Sequence, residues 1–429
     1  MHPSWIGRTT TSRLSLSLVF LTIGFAPPVL KAQSQASVTV FEGARLITGD
    51  GSAPIADAAF IVDNGRFTAV GRKGQLKIPP GAARVDLTGK TVIPAIVDAH
   101  KHLPVTRDAL IDSLQHFAYY GIGVAMSMGQ DTGDVAFQVR AEAIPNAARN
   151  RTAGRGLTAP EPGRTTAPYW IKTEAEARKA VQELAEKKVD LVKMWVDDRD
   201  RTVTKLSPEL YRAAIDEAHK HNLRTIAHIF TLEDAKGVLR AGIDVFAHGV
   251  RDKDIDDEFI AMMKARRGMI LDPNLPDRGV KVDRSWLRES MTAQEFEKLQ
   301  ADSKDDPKAQ QFFAIQSRNL AKLNAAGIKI ALGTDGGVPW AAHEEMVDMV
   351  ASGMTPAQVI VASTRNAADM LGLTDVGTVT ARKSADFVVL DANPLDDITN
   401  TRRISSVYLR GSQVDRAAMR ARWTSGTAK

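Results

Sequence analysis

The chain has 429 residues, which suits one large barrel plus a minor unit better than a single small core. Apolar residues make up 44% and charged residues 25%, the balance of a folded globular protein, so fibrous and disordered classes are excluded. A formal charge of +5 is too slight a bias to argue for a nucleic-acid partner or an anionic membrane.

The first 36 residues read as a secretory signal peptide. Arg8 and Arg13 form its basic start, Leu14 to Phe25 its apolar run, and Ser34-Gln35-Ala36 offers small residues for cleavage. The run is short for a membrane span, which needs about 20 residues, so no stable membrane insertion is expected after cleavage. The chain has no cysteine. Disulfides and thiolate ligands are therefore excluded, and any metal must be held by His, carboxylate or a modified Lys. A leader without cysteines fits a periplasmic or secreted protein.

Residues 37–90 alternate short β-rich runs with turns such as Asp63-Asn64-Gly65-Arg66. The same texture returns over 373–415, where Ala385 to Leu390 and Ile404 to Arg410 read as strands. The two ends are expected to pair into one small β-sandwich-like domain, with 416–429 as a C-terminal tail. The middle, 91–372, alternates apolar runs with amphipathic helices. The runs are Thr91 to Val97, Gly123 to Met128, Arg155 to Thr158, Val189 to Trp195, Arg224 to His228, Ile243 to Ala247, Met269 to Leu271 and Ile328 to Leu332. Eight such units predict an α/β fold, a (β/α)8 TIM barrel. The charged stretch from Leu275 to Pro307 reads either as a lid or as a surface excursion.

Ionisable residues concentrate at the ends of these runs, where a barrel places its active site. His100 and His102 share one face of an extended segment, with Lys101 turned away. His228 ends one strand, His248 the next, and Asp335 follows the last. Four imidazoles and a carboxylate suit Zn2+ or a similar divalent ion. Lys193 lies within another strand, where a plain ammonium beside metal ions is costly. It either reaches a carboxylate partner or carries CO2 as a carbamate; these letters leave both open. Tyr169, His343 and Gln130 are candidate substrate-binding residues, with Glu344 and Asp131 beside them. His116, His219 and His221 fall in helical patterns and read as surface or packing residues.

The order His-x-His, Lys, His, His, Asp on successive strands resembles the amidohydrolase superfamily. Pro94-Ala95-Ile96-Val97-Asp98-Ala99-His100-Lys101-His102 resembles its first-strand motif, with Ala95 where Gly is common, and Ser384 to Asp391 resembles its C-terminal strand. Within the superfamily the chain is similar to the branch of imidazolonepropionase-like proteins, Xaa-Pro dipeptidases and ochratoxin-type amide hydrolases. The resemblance implies two Zn2+ ions: His100 and His102 with Asp335 at the first, His228 and His248 at the second, and carboxylated Lys193 between them. It implies hydrolysis of a C–N amide bond in a small molecule or dipeptide by metal-activated hydroxide, with Asp335 as general base and then acid. The alternatives are opening of a cyclic amide or imidazolone, and a barrel that binds without catalysis. A deaminase is disfavoured because of the lysine. Related barrels often assemble, so a homo-oligomer is a further expectation.

Overall fold

In the computed structural model, residues 38–425 are described; the signal-peptide reading lies outside them. Both ends of this stretch meet in one eight-stranded sheet. Its path runs Ser412–Gln413, Ile404–Leu409, Phe387–Leu390, Thr91–Pro94, Thr39–Leu46, Ile55–Asp63 and Arg66–Arg72, and Ala83–Asp86 pairs beside Thr39–Leu46. Alternation of apolar and polar residues along these strands aims Phe41, Phe60, Phe67 and Phe387 into one buried core.

The run expected as the first barrel strand is divided between the two layers. Thr91–Pro94 pairs antiparallel with Phe387–Leu390, and only Ile96–Lys101 enters the barrel. The remaining barrel strands are Ile122–Ser127, Arg149–Thr152, Val192–Val196, Thr225–Ile229, Val245–Ala247, Ile270–Asp272 and Lys329–Ile330, each parallel to its paired neighbour. Backbone bonds from Asp190 to Thr152 and from Ala99 to Leu332 close the ring. The third strand is thus Arg149–Thr152, not Arg155 to Thr158. Leu157–Thr158 instead forms an extension between Tyr169–Trp170 and Val192–Val196.

The connecting helices begin and end where local chemistry requires. Thr173 and Glu176 make a reciprocal cap at the start of Glu174–Glu186, and Gly242, in the left-handed region, terminates Leu232–Ala241. Two expectations need correction. The tail beyond 415 contains a docked helix, Arg416–Thr424, because Met419 and Trp423 bury their side chains and Arg416 donates to the carbonyls of Tyr119 and Ile404. The stretch from Leu275 to Pro307 carries a short 3-10 helix, Ser285–Ser290, and a helix, Ala293–Asp302. Leu287, Met291 and Phe296 anchor it in the core.

Candidate metal centre

Parallel register brings the strand ends to one level. Trp195 stands opposite His228, His228 opposite Ala247, and Ala247 opposite Asp272. His100 and His102 project together from the end of the first strand, their rings 5.7 Å apart, and Lys101 points the other way. Asp335 follows the last strand with φ 52°, a left-handed conformation uncommon for a non-glycine residue. Its backbone N–H donates to the His100 carbonyl at 2.8 Å, which bridges the last strand to the first. Gly333 has to be a glycine: a Cβ there would stand 2.6 Å from both Asp272 Oδ2 and His100 Cβ.

The carboxylate of Asp335 is the hub. Oδ1 lies 3.0 Å from His102 Nε2 and 3.4 Å from His100 Nε2, and Oδ2 lies 3.6 Å from His248 Nε2. Lys193 Nζ sits 3.3 Å from His100 Nε2. The donor atoms of His100, His248 and Asp335 lie within 4.8 Å of one another, close enough to share one ion. His248 is fully buried, yet neither of its ring nitrogens has a hydrogen-bond partner among the described residues. A buried polar group normally finds one, so an imidazole left free in this way fits a metal ligand.

Electrostatics prepare the same role. Burial, then the Lys193 cation, holds the His100 imidazole well below its ordinary pKa. Burial, then the Arg251 cation, does the same to His248. Burial brings His228 to about 4 against an opposing bond to Asp197. These rings are neutral near pH 7, the form that offers a lone pair. Burial would raise the Asp335 carboxyl, but the imidazoles of His100 and His102 outweigh it and hold the group well below the usual range. Lys193 is wholly buried and makes no ion pair among the described residues. Burial lowers its pKa to about 7, against the opposing charges of Asp335 and Asp272.

The cavity above these groups is about 270 Å3. Gln130 lines it, as do Glu161, Arg164, Trp195 and Arg199. Two of the expected substrate residues stand elsewhere. Tyr169 turns its hydroxyl to Glu183 at 2.9 Å and stacks under Arg155. His343 is buried behind the barrel, where its ring nitrogens meet Thr401 Oγ1 and the Tyr120 carbonyl, so it has no free atom for a substrate. Glu344 pairs with Arg284, and Asp131 is occupied by Ser127 and Thr152. The stretch from Leu275 to Pro307 contributes nothing to the lining of this cavity.

Several participants escape a sequence reading. Asp272 is fully buried, with Oδ2 3.4 Å from His100 Nδ1. It backs that ring and leaves Nε2 facing the cavity, the arrangement that orients a metal-ligating histidine. Asp197 lies 3.0 Å from His228 Nε2 and pairs with Arg199 at 2.8 Å. Trp195 covers Lys193, its ring 5.2 Å from Nζ. Gly129 and Gly156 admit that ring, because a Cβ at either would come within 2.7 Å of it. Position at a strand end was the available signal for Asp272; Asp197 and Arg199 lie beyond a strand end, where loop geometry decides.

Comparison with known proteins shows the family and the fold. The sequence profile of the amidohydrolase family matches residues 91–414. An uncharacterised protein of Mycobacterium tuberculosis is 28% identical over 78% of this chain and 88% of its own length. An imidazolonepropionase of Deinococcus radiodurans is 27% identical over 84% and 92%. The crystal structure of a Xaa-Pro dipeptidase superposes with a TM-score of 0.71 at 21% identity, covering 88% of this chain and 99% of that one. Members of the family generally use a divalent metal, and the chain belongs to the amidohydrolase family as a hydrolase acting on carbon–nitrogen bonds.

Proposed function

We propose that the chain hydrolyses a C–N amide bond in a small molecule or dipeptide. The observation that carries this is the unpartnered, buried His248 beside His100 and Asp335, at the floor of a small cavity on the barrel rim. His100, His102 and Asp335 would hold one Zn2+. His228 and His248 would hold a second, with carboxylated Lys193 shared between them. A free amine is the form that takes up CO2, and complete burial without an ion pair favours that form of Lys193. A divalent ion supplies Lewis acidity for ionising water and polarising a carbonyl. Asp335 accepts the proton of the attacking water and returns it to the leaving nitrogen. Its carboxylate is held ionised and ready for the first of these steps. Asp272 stands behind the ring of His100, and Gln130 and Trp195 bound the space left for substrate.

The likeness to an imidazolonepropionase over most of both chains supports a second reading, opening of a cyclic amide such as an imidazolone. The volume of the cavity restricts either substrate to a small molecule. The basic, apolar leader of residues 1–36 motivates the proposal that the protein acts in the periplasm or outside the cell. Among the described residues, no helix is long and apolar enough to cross a membrane.

The test combines metal analysis with turnover on a panel of dipeptides, N-acyl amino acids, lactams and an imidazolone. Two zinc ions per chain with cleavage of linear amides would select the first reading, and cleavage of the imidazolone alone the second. Asp335→Asn is expected to lower turnover by about a hundredfold or more, with zinc content nearly intact. Full activity in that variant would sink the assignment.

A further inference from the structure

The residue between the two first-strand histidines has no part in the function proposed above, yet it is among the most completely buried cations in the molecule. Lys101 is 0% exposed. Its Nζ lies 3.1 Å from Asp98 Oδ2 and donates to Thr334 Oγ1 at 2.8 Å and to the carbonyl of Gly336 at 3.0 Å. The carbonyl of Val338 stands at 3.4 Å and the Phe117 ring at 4.9 Å. Asp98, also fully buried, completes the cluster. Its carboxylate accepts from the Thr334 N–H at 3.1 Å and from the Thr334 hydroxyl at 2.9 Å.

All of these partners except Asp98 and Phe117 belong to one loop, the segment that carries Asp335. That loop starts with three residues, Gly333 to Asp335, of which the last has a positive φ. Gly336 and Gly337 follow and add no side chain that could hold the backbone in place. A loop of this kind has many accessible conformations, and fixing it has an entropic cost. A buried ammonium distributes three donors in three directions. Here it spends them on one carboxylate of the first strand and on acceptors before and after Asp335. Removing the cation would leave Asp98 as a buried charge without its counter-ion and two loop carbonyls without a donor.

We propose that Lys101 is a positioning residue: its ammonium clamps the 334–338 loop to the first barrel strand and so holds the Asp335 carboxylate against His100 and His102. The chemical consequence rests on the role proposed above for Asp335, but the clamp itself does not.

The experiment therefore reads the loop directly. Wild type, Lys101→Met and Thr334→Val are compared, metal-free, by hydrogen–deuterium exchange resolved to the peptide spanning 333–340. Co2+ affinity is then followed by visible absorption. Met keeps the length and apolar character of the side chain and loses the charge and its donors. Val removes the hydroxyl that links Lys101 to Asp98 and leaves the cation in place. Both variants are expected to fold, by far-ultraviolet circular dichroism. Lys101→Met is expected to exchange about tenfold faster in 333–340, with the strands Thr225–Ile229 and Val245–Ala247 unchanged. Its Co2+ affinity should fall by about tenfold or more, as for other groups that orient metal ligands. Thr334→Val should show smaller changes of the same kind. A folded Lys101→Met protein with wild-type exchange in 333–340 would overturn the proposal. If Lys101→Met does not fold, wild-type exchange in Thr334→Val overturns it instead. A loosened loop combined with full activity of Asp335→Asn would leave the clamp standing and remove the catalytic role of Asp335.

Discussion

The sheet made by the chain ends and the rim of the barrel are both buried, but they are built on opposite principles. In the sheet, the Phe387 ring meets Phe41, Phe60, Phe67 and Tyr408 with centroids 4.6–5.9 Å apart, edge-on to Phe41 and Phe60, tilted to Phe67 and stacked on Tyr408. The four phenylalanine rings need no partner beyond one another, so burial itself is the stabilising term. At the rim, His248, Lys193 and Asp272 are buried as deeply, and both ring nitrogens of His248 and Oδ2 of Asp272 have lost hydration that no hydrogen bond among the described residues restores. One region contributes stability and the other consumes it. The difference teaches that the rim is arranged for chemistry rather than stability, and its His100, His248 and Asp335 donors lie close enough to hold a divalent metal of the kind the family generally uses.

Three measurements would break or sharpen that contrast. The largest effect is expected from Phe387→Ala, which should destabilise the protein by about 3–5 kcal/mol in denaturant titrations. Zinc binding by the remaining folded protein should not change, and a loss of binding would mean that the two regions are coupled. His248→Leu is expected to behave in the opposite way. In EDTA its stability should lie within about 1 kcal/mol of wild type or above it, because an apolar side chain suits a buried site better than an unpaired imidazole. Zinc at a hundredfold over its Kd should add about 2.7 kcal/mol to wild type and distinctly less to the variant, read as a shift in Tm. A large loss of stability in EDTA would show that His248 is an ordinary packing residue.

The smallest effect concerns His343, a buried histidine whose two nitrogens are both bonded. Burial holds its imidazole at about 4, below the value of the unfolded chain. The unfolded state therefore binds more protons between about pH 6.5 and 4, and stability falls as pH is lowered through that window. The carboxyls of Glu345 and Asp348 are raised by burial, the latter to about 7, and they favour the folded state in the same acid range. The comparison is thus between variant and parent. His343→Gln should be less stable at pH 8 and lose on the order of 2 kcal/mol less between pH 6.5 and 4. Parallel stability curves would refute this account of His343.

Legibility differed in the same way between the two regions. The candidate metal-ligating side chains stand at the ends of apolar runs, and strand-end position is a local property that survives without coordinates. Tyr169, expected in a loop ahead of a helix and open to the cavity, faces Glu183 and Arg155 instead, because its two-residue strand lies outside the ring of eight. His343 sits only eight residues past Asp335, but one helical turn carries it behind the barrel. The end of the chain, expected as a tail, is anchored by Trp423 stacked at 3.7 Å on His116 of the helix Arg107–Tyr119, far away in the sequence.

By itself, then, the order of residues determined the barrel, the pairing of its two β-rich ends and the group of histidines, lysine and aspartate on the rim. Periodicity and strand-end position are encoded over a few neighbouring residues, and parallel strands bring every such end to one level. Only the tertiary structure decided which of these groups are left unpartnered, which carboxylate stands behind His100, and that Lys101 ties down the loop of Asp335. Those outcomes depend on contacts between segments far apart in the chain, down to the 2.8 Å between Lys101 and Thr334, and no local pattern specifies a distance of that kind.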